Sequence, residues 1–335
     1  MAERIGVIGA GSWGTALADL LARKNGHEVV LWSYEPDVAE AIAREHHNPR
    51  YLKDVDLAPS LRATSHLADA VREADVLVSV SPAQHVRAIM SEAAPAMRSD
   101  AIVVSASKGI EQDRLNTMAQ VLSQVLPQGA ATAYLSGPSF ALEVAQRMPT
   151  AVTIASHDAG VALRAQELFQ TPQFRAYTSD DVVGVELGGA LKNVIAVAAG
   201  MVVGLGLGHN TTAALITRGL AEITRLAVEC GANPLTLSGL AGMGDLILTC
   251  TGGLSRNRHV GVEIGKGRTL DDVLGEMTMV AEGVATTRAA HALAERTGIE
   301  MPIVAEVHAV LFEDRPAAEA VENLMLREPK AELWR

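Results

Sequence analysis

Gly9-Ala10-Gly11-Ser12-Trp13-Gly14 follows the apolar run Arg4-Ile5-Gly6-Val7-Ile8 and leads into Thr15-Ala16-Leu17-Ala18-Asp19-Leu20-Leu21-Ala22. The order is a short strand, a tight turn and an amphipathic helix, the context that a dinucleotide fingerprint requires. Gly9 permits the turn, Gly11 leaves a pyrophosphate free approach to the backbone, and Gly14 lets helix and strand pack closely. The helix start offers unpaired N–H groups and a positive dipole end to phosphates. His27-Glu28-Val29-Val30-Leu31-Trp32 supplies a second strand. The plainer alternative is a glycine-rich turn with no ligand.

Outward from this turn, strand and helix patterns alternate. Strands are expected at 5–8, 28–32, 76–80, 102–105, 132–135, 151–154 and 174–177. Helical patterns, such as 38–45, 115–126 and 159–169, lie between most of them. Such alternation implies right-handed βαβ units and a doubly wound, largely parallel sheet. After Ser179 the strand signals stop. Helical patterns follow at 182–203, 213–230, 234–237, 258–265, 270–277, 286–297, 303–312 and 317–326. The expected architecture is α/β with two domains, 1–180 binding a dinucleotide and 181–335 all helical.

Two domains also suit the length of 335 residues. Apolar residues make up 48% and charged residues 20%, an ordinary globular composition. A net charge of −11 argues against nucleic-acid or anionic-membrane partners, and requires a local cationic cluster to hold an anionic substrate. Cys230 and Cys250 form no metal or disulfide pattern, which fits a reducing, cytoplasmic setting. The chain opens without the basic and apolar regions of a secretory leader. The longest apolar run, 194–208, is too short and too broken by glycine for a membrane span, and reads as a helix buried in protein. The histidines lack metal spacing, so no metal site is expected.

Four segments put polar or cationic groups where a core should be apolar. Ser105-Ala106-Ser107-Lys108-Gly109 follows a strand, so Lys108 points towards the ligand crevice at the strand ends. Ser136-Gly137-Pro138-Ser139-Phe140-Ala141 forms a turn in which Ser139 can donate to a ligand oxygen. Lys192 and Asn193 are embedded in the apolar helix Glu186–Val197. Burial lowers a lysine's pKa and makes it an acid/base near neutrality. Glu186 is a candidate partner, but six residues away it falls on another helix face. Asp245 either caps a helix or holds a lysine ammonium. Ser255-Arg256-Asn257 at a helix start combine a guanidinium fork, an amide and free N–H groups, a natural phosphate site. The competing readings are a solvated loop lysine at Lys108, a plain turn at 136–141, a structural lysine at Lys192, and helix caps with solvated arginines at 245 and 255–258.

These strings, in this order, resemble the NAD(P)-dependent glycerol-3-phosphate dehydrogenases of bacteria. The likeness rests on Gly-Ala-Gly-Ser-Trp-Gly-Thr-Ala-Leu-Ala, Ser107-Lys108-Gly109, Ser136-Gly137-Pro138-Ser139, Leu191-Lys192-Asn193, Gly244-Asp245-Leu246 with Thr249-Cys250, and Ser255-Arg256-Asn257. It runs from about residue 3 to 328. The resemblance implies a Rossmann-type domain, an all-helical C-terminal domain and an active site between them. It implies reversible reduction of dihydroxyacetone phosphate to sn-glycerol 3-phosphate for phospholipid synthesis, by a homodimer. Lys192 would be the proton donor/acceptor, and Lys108 would lie beside substrate and nicotinamide. Asp245 and Thr249 would frame the catalytic lysine, with Asn193 in the same catalytic group. Gly137, Ser139, Ser255, Arg256 and Asn257 would hold substrate, together with Lys108, Lys192 and Asp245. Cofactor contacts would come from Gly9, Gly11, Ser12, Trp13, Gly14, Ser33, Tyr34, Lys108, Ala141, Arg256, Val280 and Glu282.

At the end of the second strand, Ser33 stands where an NAD-selective site has an acid. Glu35 comes two residues late, and no arginine follows at once. The missing acid removes a repulsion against a 2′-phosphate, so use of both NADH and NADPH is expected. The rival enzyme reading is a two-domain keto-acid or β-hydroxyacid reductase, whose substrates carry a carboxylate. A non-catalytic NAD(P) sensor is the rival from another class; retention of Lys108, Lys192 and Asp245 speaks against it.

Overall fold

The computed structural model describes residues 3–24, 26–329 and 331–332. Among these residues one eight-stranded sheet forms, from β1 (Arg4–Ile8), β2 (Glu28–Trp32), β3 (Arg62–Thr64), β4 (Val76–Ser79), β5 (Ile102–Ser105), β6 (Thr132–Ser136), β7 (Thr150–Ala155) and β8 (Phe174–Ser179). The spatial order is β8-β7-β6-β5-β4-β1-β2-β3. Neighbours run parallel except β6 and β7. The first six strands have the Rossmann order 3-2-1-4-5-6, which places the ligand crevice at the carboxyl ends of β1 and β4. Alternate side chains feed different cores. Val7, Leu31 and Val78 pack on one face, and Ile8, Leu77 and Val103 on the other, as expected for a sheet covered on both sides.

Helix α1 (Ser12–Ala22) follows the glycine turn. The second half is built from α2 (Val182–Gly204), α3 (His209–Glu229), α4 (Asp245–Thr251), α5 (Arg256–Gly265), α6 (Glu282–Thr297) and α7 (Pro302–Phe312), with shorter helices between. Leu191 and Ile195 of α2 share a core with Ile223, Leu226, Leu246, Ala290 and Val304. At 23 residues with mean hydropathy 1.6, α2 is long and apolar enough to cross a bilayer, but 89% of its apolar window is buried inside the protein. The apolar run at 194–208 therefore understates the element. Asp181 accepts from Gly184 N–H and starts the helix twelve residues earlier than that run. Burial, not shortness, marks α2 as a core helix.

The α2–α5 crossing brings backbones into contact. A methyl group on Gly200 would stand 2.1 Å from the Arg258 carbonyl oxygen, and one on Gly261 would stand 1.9 Å from that of Val197. Only glycine at both positions permits this approach, which sets the start of α5 beside the middle of α2.

Several boundaries differ from the sequence reading; three helices start earlier because their polar first turns carry no apolar periodicity. Helix α5 starts at Arg256 rather than 258, capped by Ser255. Helices α6 and α3 start at Glu282 and His209 rather than 286 and 213. The helix expected from 115 begins at Met118, behind a Thr117–Gln120 capping box. Strand β3 and a small hairpin, His47–Asn48 with Leu52–Asp56, were not foreseen; β3 has three residues, and in Leu52–Asp56 two exposed charged residues separate buried Leu52 from buried Val55, so no two-residue alternation shows.

Candidate active site

At the glycine turn, Gly9 adopts φ +118° and donates its N–H to the Trp32 carbonyl at 3.1 Å. A methyl on Gly14 would sit 1.8 Å from the Gly9 carbonyl oxygen, whereas one on Gly11 meets nothing within 4 Å. Closeness is thus demanded at Gly14 and an open approach is left over Gly11. Among the described residues no side chain caps α1, so its first N–H groups, beginning at half-buried Ser12 behind exposed Gly11, are left for a ligand. The Trp13 indole N–H is buried without a partner among the described residues. These features fit a dinucleotide pyrophosphate.

Fully buried Asn48 secures this turn. Its amide donates to the Ala10 carbonyl (2.9 Å) and the Thr15 hydroxyl (2.8 Å), while its oxygen accepts from Tyr51 N–H (3.0 Å). Asn48 thereby carries Arg50 and Tyr51 to the end of β2. There the Glu35 carboxylate accepts from the Tyr51 hydroxyl at 2.7 Å. Arg50 pairs with Asp37 at 3.0 Å and lies 3.8 Å from Glu35. An arginine therefore does stand beside the strand end, delivered by the hairpin rather than by the next residues. Ser33 is fully buried and accepts from Glu35 N–H, while Tyr34 is 80% exposed.

The catalytic candidates converge at the other side of the crevice. Lys192, buried in α2, donates to Asp245 Oδ1 at 2.5 Å and to the Thr249 hydroxyl at 2.9 Å. Lys108 reaches Asp245 Oδ2 at 2.6 Å and the Gly137 carbonyl at 3.0 Å. The capping role considered for Asp245 is not what its side chain does. Residues Leu240–Gly244 wind as a π-helical turn, Gly244 precedes α4, and Asp245 turns inward to both ammonium groups. Burial lowers the Lys192 pKa to about 8, against the pull of Asp245 and with the help of Lys108. Burial alone would raise Asp245, but the two lysines hold it below the usual carboxylate range. Two ammoniums share one carboxylate, and this buried excess of positive charge suits an oxyanion.

The segment expected to hold an anion lies one hydrogen bond away. Asn193, next to Lys192, accepts from the Asn257 amide at 2.9 Å, and Asn257 accepts from Gly283 N–H at 2.9 Å. Ser255 caps α5 by accepting from Arg258 N–H. Arg256 donates to the Val280 carbonyl at 2.9 Å. Burial lowers its proton affinity and Glu282 opposes this. Glu282 accepts from Ala83 N–H across the domain junction at 3.1 Å, and burial raises its pKa to about 7. Ser139 donates to the Gly137 carbonyl at 3.0 Å, and Ala141 begins a short helix directly after that turn. Glu186 is no partner of Lys192. It accepts from Ala119 N–H at 2.8 Å, on the other side of Gly189.

Residues 4–162 match the family model for the NAD-dependent glycerol-3-phosphate dehydrogenase N-terminus, and residues 181–322 match that for its C-terminus. A glycerol-3-phosphate dehydrogenase [NAD(P)+] of Geobacter sulfurreducens is 59% identical over 336 residues, covering 100% of both chains. The crystal structure of a glycerol-3-phosphate dehydrogenase from Coxiella burnetii superimposes with TM-score 0.94 at 39% identity, covering 97% of this chain and 99% of that one. A ketopantoate reductase from Ralstonia eutropha has TM-score 0.59 at 18% identity, covering 95% of this chain and 99% of that one. The last is a likeness of fold alone.

Proposed function

The chain belongs to the NAD-dependent glycerol-3-phosphate dehydrogenase family, and from that membership we propose that it interconverts dihydroxyacetone phosphate and sn-glycerol 3-phosphate with NAD(P). The observation that carries this reading is the buried Lys108–Asp245–Lys192 bridge beside the start of α5. One centre can meet an oxyanion there while the other holds a phosphate.

In this reading Gly9, Gly11, Ser12, Trp13 and Gly14 hold the pyrophosphate. Ser33 and Tyr34 border the adenosine, and Ala141, Val280 and Glu282 border the nicotinamide half. Bound there, NAD(P)H supplies the hydride. Arg256, Asn257 and Ser255 hold the substrate phosphate, with Gly137 and Ser139 at the intervening carbons. The fixed phosphate removes rotational freedom before reaction. Lys108 and Lys192 stabilise the negative oxygen developing at C2, and Lys192 protonates it. Asp245 and Thr249 keep the Lys192 ammonium aimed, and Asn193 ties its helix to the phosphate site. In the reverse direction neutral Lys192 takes the hydroxyl proton.

We also propose that residues 1–180 and 181–335 divide as cofactor and substrate domains. The protein is read as a cytoplasmic homodimer supplying glycerophospholipid synthesis. The free thiols of Cys230 and Cys250 support the cytoplasmic setting. Initial rates with NADH and with NADPH, on dihydroxyacetone phosphate and on 2-keto acids, test the function. Turnover of keto acids, or of neither substrate class, would overturn it.

A further inference from the structure

Behind Lys108 lies a second polar feature that the reaction as described does not use. A cavity of about 10 Å³, lined by Ser105, Tyr134, Ser136, Lys108 and Glu186 among others, has about the room one water requires. Ser105 and Ser136 are 2% and 3% exposed. Among the described residues neither hydroxyl has a hydrogen-bond partner, and the same holds for Glu186 Oε2. Buried polar atoms are rarely left so, and three around one small space indicate a built water site. The register explains their convergence. Ser105 of β5 pairs with Tyr134 of β6, and Ser136, two residues on, projects from the same face. That face meets α2 at Gly189, where a methyl would stand 2.4 Å from the Ser136 hydroxyl and 3.7 Å from Lys108 Cδ. The missing side chain keeps the Ser136 hydroxyl between the helix and the lysine stem.

The cavity has an outer end as well. Glu186 accepts from Ala119 N–H, two residues from the partly exposed Thr117. A polar line thus runs from the surface at Thr117 through Glu186 and the cavity to Lys108, whose ammonium meets Asp245 and, through it, Lys192.

We propose that Glu186 and a water held by Ser105 and Ser136 form a proton reservoir that recharges the catalytic lysines during turnover. The proposal rests on the reading of Lys192 as the acid. Each reduction consumes one proton: the O–H bond at C2 forms as an N–H bond of Lys192 breaks. Lys192 regains a proton through Asp245 from Lys108, Lys108 from the cavity water, and that water from Glu186. Glu186 is refilled from solvent past Thr117. Asp245 receives one proton as it gives another, so its charge is unchanged over the cycle. The titratable groups facing Glu186 are Tyr134 from β6 and Lys108 across the cavity; the helix Met118–Val125 presents N–H groups and carries no titratable side chain. Burial raises Glu186 to about 7, so it exchanges its proton near neutral pH.

The test compares parent, Glu186→Gln and Ser136→Ala in both directions across pH 5.5–9, with solvent isotope effects. In the parent, kcat for reduction should lose rate as pH rises through about 7, as Glu186 empties, and kcat for oxidation should gain it. Glu186→Gln should lower kcat about tenfold both ways with KM values nearly unchanged, abolish that limb and enlarge the solvent isotope effect. Ser136→Ala should do the same more weakly, and decides the matter if Glu186→Gln does not fold. An infrared carboxylic-acid band that titrates near neutrality in the parent and is absent from Glu186→Gln gives a readout independent of turnover. An unchanged pH limb and isotope effect in folded variants would overturn the reservoir, even if kcat fell. Lys192→Ala separates the two ideas: if it retains turnover, the acid assignment itself is wrong.

Discussion

Replacing Asp245 by asparagine removes one charge from a buried cluster while preserving its shape. The Asp245 carboxylate contacts Lys192 at 2.5 Å and Lys108 at 2.6 Å and is 1% exposed. Unit charges with centres ~4 Å apart attract by about 4 kcal/mol at an effective dielectric constant of about 20. At ~1.4 kcal/mol per tenfold, losing this attraction weakens the proton affinity of Lys192 on the order of a thousandfold. With a pKa of about 8, Lys192 is roughly nine-tenths protonated at pH 7 in the parent. In Asp245→Asn the fraction falls to on the order of one percent. Reduction uses the ammonium form, so kcat at pH 7 should fall about a hundredfold and climb about tenfold per unit as pH drops towards 5. The parent should be flat below about pH 8 on account of this group. The assay is the initial rate of dihydroxyacetone phosphate reduction at saturating NADPH, on protein whose folding has been checked by circular dichroism. A kcat at pH 7 within twofold of the parent, or one that does not rise at all as pH drops towards 5, would refute the reasoning.

Arg256→Ala should raise KM for dihydroxyacetone phosphate by about ten- to a hundredfold, the worth of one charge-assisted bond of ~1.5–3 kcal/mol, and should erase the preference over unphosphorylated dihydroxyacetone. A preserved preference would place the phosphate elsewhere. Arg50→Ala should raise KM for NADPH about tenfold and for NADH far less, because the guanidinium at the β2 end can leave Asp37 for a 2′-phosphate; equal changes for both cofactors would count against this role. Glu222 accepts from Ile303 N–H at 2.9 Å at the start of α7, and burial raises its pKa to about 7. Its folded pKa is above the unfolded value, so its contribution is full below about pH 4.5 and is lost as pH rises through about 7. Thermal unfolding should therefore show Glu222→Gln flattening this decline, by on the order of 3 kcal/mol at most. A slope shared by parent and variant would disprove it.

Much of the fold was legible because the glycine turn and buried strands are local signals. The strand at 4–8 and the helix after Gly11 need no distant partner to be recognised. Lys192 was legible for the opposite reason, as a cation inside a run with no solvent face. What escaped depends on contacts far apart in sequence. Asn48 reads as a loop residue until the hairpin folds it onto Ala10 and Thr15. Arg50 is invisible at the β2 end until that happens. The spacing of Gly200 with Gly204, repeated at Gly261 with Gly265, carried a signal of close helix packing that could have been read. The serines around Glu186 could not have been found, because only the β5–β6 register and the approach of Gly189 bring them together.

The most direct measurement is kcat of Lys192→Met for dihydroxyacetone phosphate reduction, with NADPH affinity followed in parallel through tryptophan fluorescence. Methionine keeps the length and burial of the side chain and removes the ammonium. The account predicts that kcat falls by about 10²–10⁴-fold, the range for a lost general acid, with NADPH affinity changed less than about twofold. A variant that keeps half the parent's turnover would contradict it.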